Sequence, residues 1–129
     1  MSIELGTRGR SETVVTEQNT AEAVGSGLVP VFATPYMIAL MENAAASSLL
    51  PYLAEDEGSV GTRLDVSHDS ATPIGMKVWA EAEVVAVEGK KITFSVSAFD
   101  EAGPIGRGTH ERFLIKPEKF LIKAQAKLS

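Results

Sequence analysis

From residue 59 onward the chain alternates apolar and polar positions, and before it stands one long apolar block. That block, Tyr36-Met37-Ile38-Ala39-Leu40-Met41-Glu42-Asn43-Ala44-Ala45-Ala46, is hydrophobic around almost the whole circumference of a helix. Such a helix belongs inside a protein rather than on its surface. Thr34-Pro35 reads as an N-cap followed by proline in the first helical position, where the missing N–H does no harm. Pro51 marks the end, so a helix is expected over about 35–50. Ahead of it, residues 11–16 read as a short strand and residues 21–24 as a brief helix. Gly25, Gly27 and Pro30 make a flexible approach to the long helix.

The alternation predicts four further strands. In the first, Leu64, Val66 and His68 share one face against Arg63, Asp65 and Ser67. The second, 76–87, turns Val78, Ala80, Ala82 and Val84 inward. The third, 92–99, turns in Ile92, Phe94, Val96 and Ala98, and the fourth runs over 105–115. Short turns at Glu88-Gly89-Lys90 and Asp100-Glu101-Ala102-Gly103-Pro104 connect them, and Pro117 opens a short amphipathic tail. One buried helix with strands joined by short turns is an α+β layout, a long central helix wrapped by an antiparallel β-sheet. The outer sheet face, rich in alternating charge and poor in aromatics, is expected to meet solvent or a partner. With no repeat and no linker, residues 1–129 read as a single domain.

Composition narrows the function. Hydrophobic residues make up 44% and charged residues 22%, an ordinary globular balance. No apolar run reaches membrane-spanning length, and the polar N-terminus does not read as a signal peptide. Cysteine is absent, which excludes disulfides, thiol nucleophiles and thiolate-held zinc and fits a reducing cytoplasm. The net charge of −5 argues against general nucleic-acid binding. It is unevenly spread: five basic residues from Arg112 to the end face one acid, Glu118. A basic patch of that kind can hold a phosphorylated ligand, or it can simply be a solvated helix face.

Three residues are candidates for chemistry. Glu42 interrupts the apolar helix, and an ionised carboxylate is costly to bury unless it is paired, hydrogen-bonded or protonated. A structural tie to an arginine is the plain alternative. The alternation of its strand points His68 inward toward the same helix. A core histidine satisfied by hydrogen bonds is the plain alternative there, and a simple N-cap is the plain alternative for Thr34. A buried acid and an imidazole converging on one interior make an acid–base pair. Two histidines without a spaced ligand set argue against a catalytic metal. There is no GxSxG elbow or dinucleotide fingerprint, and Gly106-Arg107-Gly108 reads as a bulge or a close approach. His110 reads as structural or solvent-facing.

Val31-Phe32-Ala33-Thr34, Met37 through Glu42, Gly61 through His68, Thr72-Pro73-Ile74-Gly75 and His110-Glu111-Arg112-Phe113 together resemble the fluoroacetyl-CoA thioesterase-like group of hot-dog-fold acyl-CoA thioesterases. The resemblance spans about residues 11–120, and Thr34, Glu42 and His68 fall at the spacing of that family's threonine, glutamate and histidine. It implies hydrolysis of a small acyl-CoA thioester to a carboxylate and free coenzyme A, with no cofactor beyond the coenzyme A of the substrate. His68 would be general base, activating water or helping Thr34. Glu42 would attack the carbonyl or orient water, and Thr34 would hold Glu42 or the substrate oxygen. A backbone N–H near Gly61 would donate to the oxyanion, and Arg112 with the basic tail would meet the nucleotide phosphates. The family is typically a homodimer with its sites at the subunit boundary, a tetramer being the larger alternative. A non-catalytic acyl-CoA-binding module and an enoyl-CoA hydratase are the competing functions.

Helix geometry constrains the site. Eight helical residues place Thr34 about 12 Å along the axis from Glu42, too far for both to touch one carbonyl carbon. Either the chain before the helix folds back, or the two act on different parts of the ligand, or one comes from the other subunit. Pro35, Asn43 and Leu28 stand where the fluoroacetyl enzyme has a glycine, a bulky aromatic and a phenylalanine lid, which points to a more general acyl group.

Overall fold

A computed structural model describes residues 2–129. Five strands, β1 (Arg8–Val14), β2 (Gly58–His68), β3 (Lys77–Glu88), β4 (Lys91–Asp100) and β5 (Gly103–Ile115), form one antiparallel sheet in the order β1-β3-β4-β5-β2. Between β1 and β2 the chain makes a short helix α1 (Ala21–Val24) and the long helix α2 (Thr34–Leu49). Because β1 and β2 lie at opposite edges of the sheet, this connection must cross its whole width. That crossing lays α2 over one face, chiefly against β1 and β3. A third helix, α3 (Pro117–Gln125), follows β5 with its side chains exposed.

The period-2 pattern becomes the core directly. Val78, Ala80, Ala82 and Val84 of β3 and Ile92, Phe94, Val96 and Ala98 of β4 are all buried beneath α2. From the helix, Met37, Leu40, Met41, Ala44, Ala45 and Leu49 descend onto them. Each larger aliphatic or aromatic side chain withdrawn in this way contributes about 1.5–3 kcal/mol. Small residues let the helix come close. At Gly9 of β1 any side chain would collide with the carbonyl oxygen of Ala44.

Two expectations need correction. Helix α2 is not enclosed all round: Thr34, Tyr36, Ala39 and Asn43 form an exposed face, Tyr36 being 42% exposed. A single five-stranded sheet covers only one side of a helix. The outer sheet face is also less bare than expected, since Trp79 and Phe99 stack there at 5.6 Å and Arg10 lies over the indole. Among the described residues no helix is long and apolar enough to cross a membrane.

Candidate active site

Thr34 is the first residue of α2 rather than its cap. Ala33 holds the N-cap position, and no side chain caps this helix end. The Thr34 hydroxyl is thereby free, and it lies 2.7 Å from Nδ1 of His68, the last residue of β2. The segments that lead to Thr34 and away from His68 are tied together by backbone bonds. Phe32 N–H donates to the Thr72 carbonyl (2.9 Å), Ala33 N–H donates to that of Asn19 (2.9 Å), and Val31 bridges to Pro73. The Thr72 hydroxyl donates at 2.7 Å to Asp100, whose other oxygen accepts from the N–H groups of Ala102 and Gly103. Buried Asp100 thus clamps the segment after His68 to the β4–β5 turn, and Thr72 carries that restraint to the approach to Thr34.

The second nitrogen of His68, Nε2, is buried and has no hydrogen-bond partner among the described residues. Buried polar groups normally find partners, so this atom stands apart from the rest of the site. Burial holds the imidazole below the ordinary histidine value. The nearby Ser70 backbone and the charge of Asp69 oppose that shift without cancelling it. The ring is therefore neutral at pH 7 and able to take a proton. Beside it lies a cavity of about 240 Å³, lined by Val31, Phe32, Thr34, His68 and Ser70 among others.

Glu42 belongs to a separate cluster. Its carboxylate is 37% exposed, and its Oε2 is 3.8 Å from Nη1 of Arg112. Glu42 is accordingly not sealed among aliphatics, and the tie to an arginine, weighed as the plain alternative, is present. It does not line the Thr34–His68 cavity within this chain. Gly61 presses on it from β2, where an added Cβ would lie 2.6 Å from Oε2. The pairing of β2 with β5 slips between Gly61 and Arg63, a bulge at Thr62 that bends the strand at this point.

Arg112 is buried, at 7% exposure. Its Nε donates to the Ser59 hydroxyl (2.9 Å), its Nη2 to the Ser59 carbonyl (3.0 Å) and its Nη1 to Nε2 of His110 (3.1 Å). A guanidinium engaged on three sides is not available to nucleotide phosphates, so the role expected for Arg112 on the substrate's phosphates is not what this structure offers. Burial draws it below the ordinary arginine value while Glu42 pushes back, and arginine keeps its charge. His110 is wholly buried, not solvent-facing.

The site read from sequence therefore divides. Thr34 and His68 come together, and Glu42 with Gly61 and Arg112 forms a second group about two helical turns away. The fold-back of the chain before α2 is excluded, because Thr34 is itself helical and continuous with Glu42. Sequence reading missed His110, Ser59 and the Thr72–Asp100 clamp. For His110 and Arg112 a signal existed: both sit at inward positions of β5, where an unpaired polar group is costly.

Known proteins with this pattern agree on its kind. The family model for fluoroacetyl-CoA-specific thioesterases matches residues 15–118. The fluoroacetyl-CoA thioesterase of Streptantibioticus cattleyicolor is 47% identical over 97 residues, which is 75% of this chain and 70% of that protein. A solved structure of the fluoroacetyl-CoA thioesterase FlK superposes with a TM-score of 0.93 at 38% identity, covering 98% of each chain. A thioesterase superfamily member from Thermus thermophilus gives 0.87 at 32% identity, over 98% of this chain and 94% of its own. With the match extending over most of its length, this chain belongs to the fluoroacetyl-CoA-specific thioesterase family and has a hot-dog fold.

Proposed function

We propose that this chain, a thioester hydrolase by family, cleaves small acyl-CoA thioesters at a site shared between two subunits. The observation that carries this reading is the 2.7 Å contact between Thr34 and neutral His68, with the far nitrogen of the ring buried and unpartnered. A hydroxyl hydrogen-bonded to a neutral imidazole is the arrangement that moves a proton to or from a reacting centre. Glu42, partly exposed and held near a buried guanidinium, is a carboxyl group with room on its open side for a carbonyl or a water.

In the reaction, the oxygen of water ends on the acyl carbon, directly or through a short-lived anhydride on Glu42. Its proton passes through His68 to the departing thiolate of coenzyme A. Thr34 fixes the plane of the imidazole, and a backbone N–H near Gly61 receives the developing oxyanion. The 240 Å³ recess beside His68 has room for a small acyl group. Coenzyme A enters as part of the substrate, and no further cofactor is needed.

Glu42 and His68 lie too far apart on one chain to act together, and the apolar face of α2 around Tyr36 and Ala39 lies open. A homodimer pairing those faces would cover them and bring Glu42 of one subunit toward His68 of the other. The absence of cysteine agrees with a cytoplasmic enzyme.

Thiol release from a panel of acyl-CoAs, acetyl through octanoyl, tests this function. Turnover highest for the shortest chains and abolished in His68→Ala supports it. Binding without thiol release would make the protein an acyl-CoA-binding module, and loss of enoyl absorbance without thiol release would make it a hydratase.

A further inference from the structure

We infer that His110 is a positioning residue for this hydrolysis, setting the Arg112 guanidinium that in turn sets Glu42. The inference rests on the reading of Glu42 as a reacting group. His110 is 0% exposed, and both ring nitrogens are engaged. Nδ1 lies 2.9 Å from the carbonyl oxygen of Arg63, which can only accept, so Nδ1 carries the proton. Nε2 is then a lone pair, and it accepts from Nη1 of Arg112 at 3.1 Å. Phe94 lies along one face of the ring, with centroids 6.1 Å apart, and fixes its plane.

This arrangement has a consequence for the carboxylate. Nη1 faces two acceptors, His110 at 3.1 Å and Glu42 at 3.8 Å. The shorter contact goes to the neutral ring, although the carboxylate is the stronger acceptor. His110 and Ser59 together therefore anchor the guanidinium at a distance from Glu42 beyond hydrogen-bond reach. The cation stays beside the carboxylate at 3.8 Å, and the carboxylate oxygens stay free for substrate. Ser59 holds the other edge of the guanidinium through Nε and Nη2. Gly61 packs beside the same carboxylate and lies 3.0 Å, from its would-be Cβ, from Cε1 of His110. The charged groups that act on the ring are Arg112 and Glu42 beside it and, from the other face of β5, Glu111. Burial and the arginine both oppose its protonation, against a weaker pull from the two acids and the Arg63 carbonyl.

Steady-state kinetics with acetyl-CoA on four variants test the inference. His110→Phe keeps the ring stacking and removes both hydrogen bonds. It should lower kcat by roughly tenfold to a hundredfold, the scale of a misplaced reacting group, with KM within about twofold. His110→Gln, which restores an acceptor toward Arg112, should recover most of that loss. In a Glu42→Gln background, adding His110→Phe should cost less than about twofold more, because the group it positions is already gone. If His110→Phe does not fold, His110→Asn, whose amide reaches Arg63 but not Arg112, takes its place with the same expectation. Equal losses in both backgrounds, a change in KM alone, or full activity in His110→Phe overturns the inference. Normal turnover in Glu42→Gln alone would instead remove Glu42 from the chemistry, a failure of the underlying reading that this design shows separately.

Discussion

Thr34 and His68, thirty-four residues apart in the chain, meet at 2.7 Å between the hydroxyl oxygen and Nδ1. The contact redefines Thr34. A threonine at a helix start normally bonds to the helix's own free N–H groups, but here the hydroxyl is turned outward to the imidazole and Ala33 occupies the cap.

Thr34→Val should therefore separate activity from stability. Losing a cap costs about 1 kcal/mol, whereas losing only the hydroxyl's hold on His68 should leave the denaturation midpoint nearly unchanged. Turnover should fall at least tenfold as the imidazole loses its orientation. A marked loss of stability with normal turnover would restore the capping role.

The titration of His68 gives a pH prediction. Burial depresses its native value, with Ser70 and Asp69 pulling weakly the other way, so the base stays neutral below the ordinary histidine value of about 6.5. The acid limb of kcat/KM should lie below that value, and an acid limb above it would contradict the assignment. Stability follows the same sign. His68 and His110 are both depressed by burial, so the unfolded chain binds protons first as pH falls. Their contribution is complete above about 6.5 and is lost as pH drops through the native values. Urea midpoints measured from pH 7.5 to pH 5 should decline, and the decline should be smaller in His110→Gln.

Gly61→Ala tests the packing of Glu42. The added methyl would lie 2.6 Å from the carboxylate oxygen and 3.0 Å from His110, so Glu42 must move. Turnover should fall by at least tenfold with the fold intact, as judged by circular dichroism. Unchanged kcat would mean that the observed position of Glu42 is immaterial.

Asp100→Ala removes the acceptor for Thr72, Ala102 and Gly103 at a buried position. Charge-assisted bonds of this kind contribute about 1.5–3 kcal/mol each, not additively, so a loss of about 3 kcal/mol in urea denaturation is expected. Turnover should fall as well, because Thr72 links this clamp to both Thr34 and His68. A stable variant of full activity would deny the clamp any role.

Much of this was legible in the chain. The alternation of Val78 through Val84 and of Ile92 through Ala98 fixed which faces became core, because a strand's period admits no other assignment once one face is buried. His68 was correctly turned inward by the same rule. The helix was harder to read. An apolar circumference signals burial, but it cannot tell a sealed core from a helix with one open face, and Glu42 lies beside such a face. The Arg112 network was only half visible. His110 and Arg112 share the inward face of β5 by alternation, but Ser59 joins them only through the β2–β5 register, and a bulge shifts that register at Thr62, which no local pattern announces. Nor did the basic run from Arg112 onward behave as one patch. Arg112 turns inward, Lys116 pairs with Asp56 at 2.7 Å, and the remaining lysines lie on or beyond α3.

The proposed sharing of the site between subunits can be tested by mixing two inactive proteins. Glu42→Gln and His68→Ala should each lose at least two orders of magnitude in turnover alone. Unfolded together and refolded as a mixture, they should regain a substantial fraction of wild-type thiol release from acetyl-CoA, because each hybrid dimer would hold one site with both groups intact. A mixture no more active than its parents would contradict the account and return Glu42 and His68 to separate duties within a single chain.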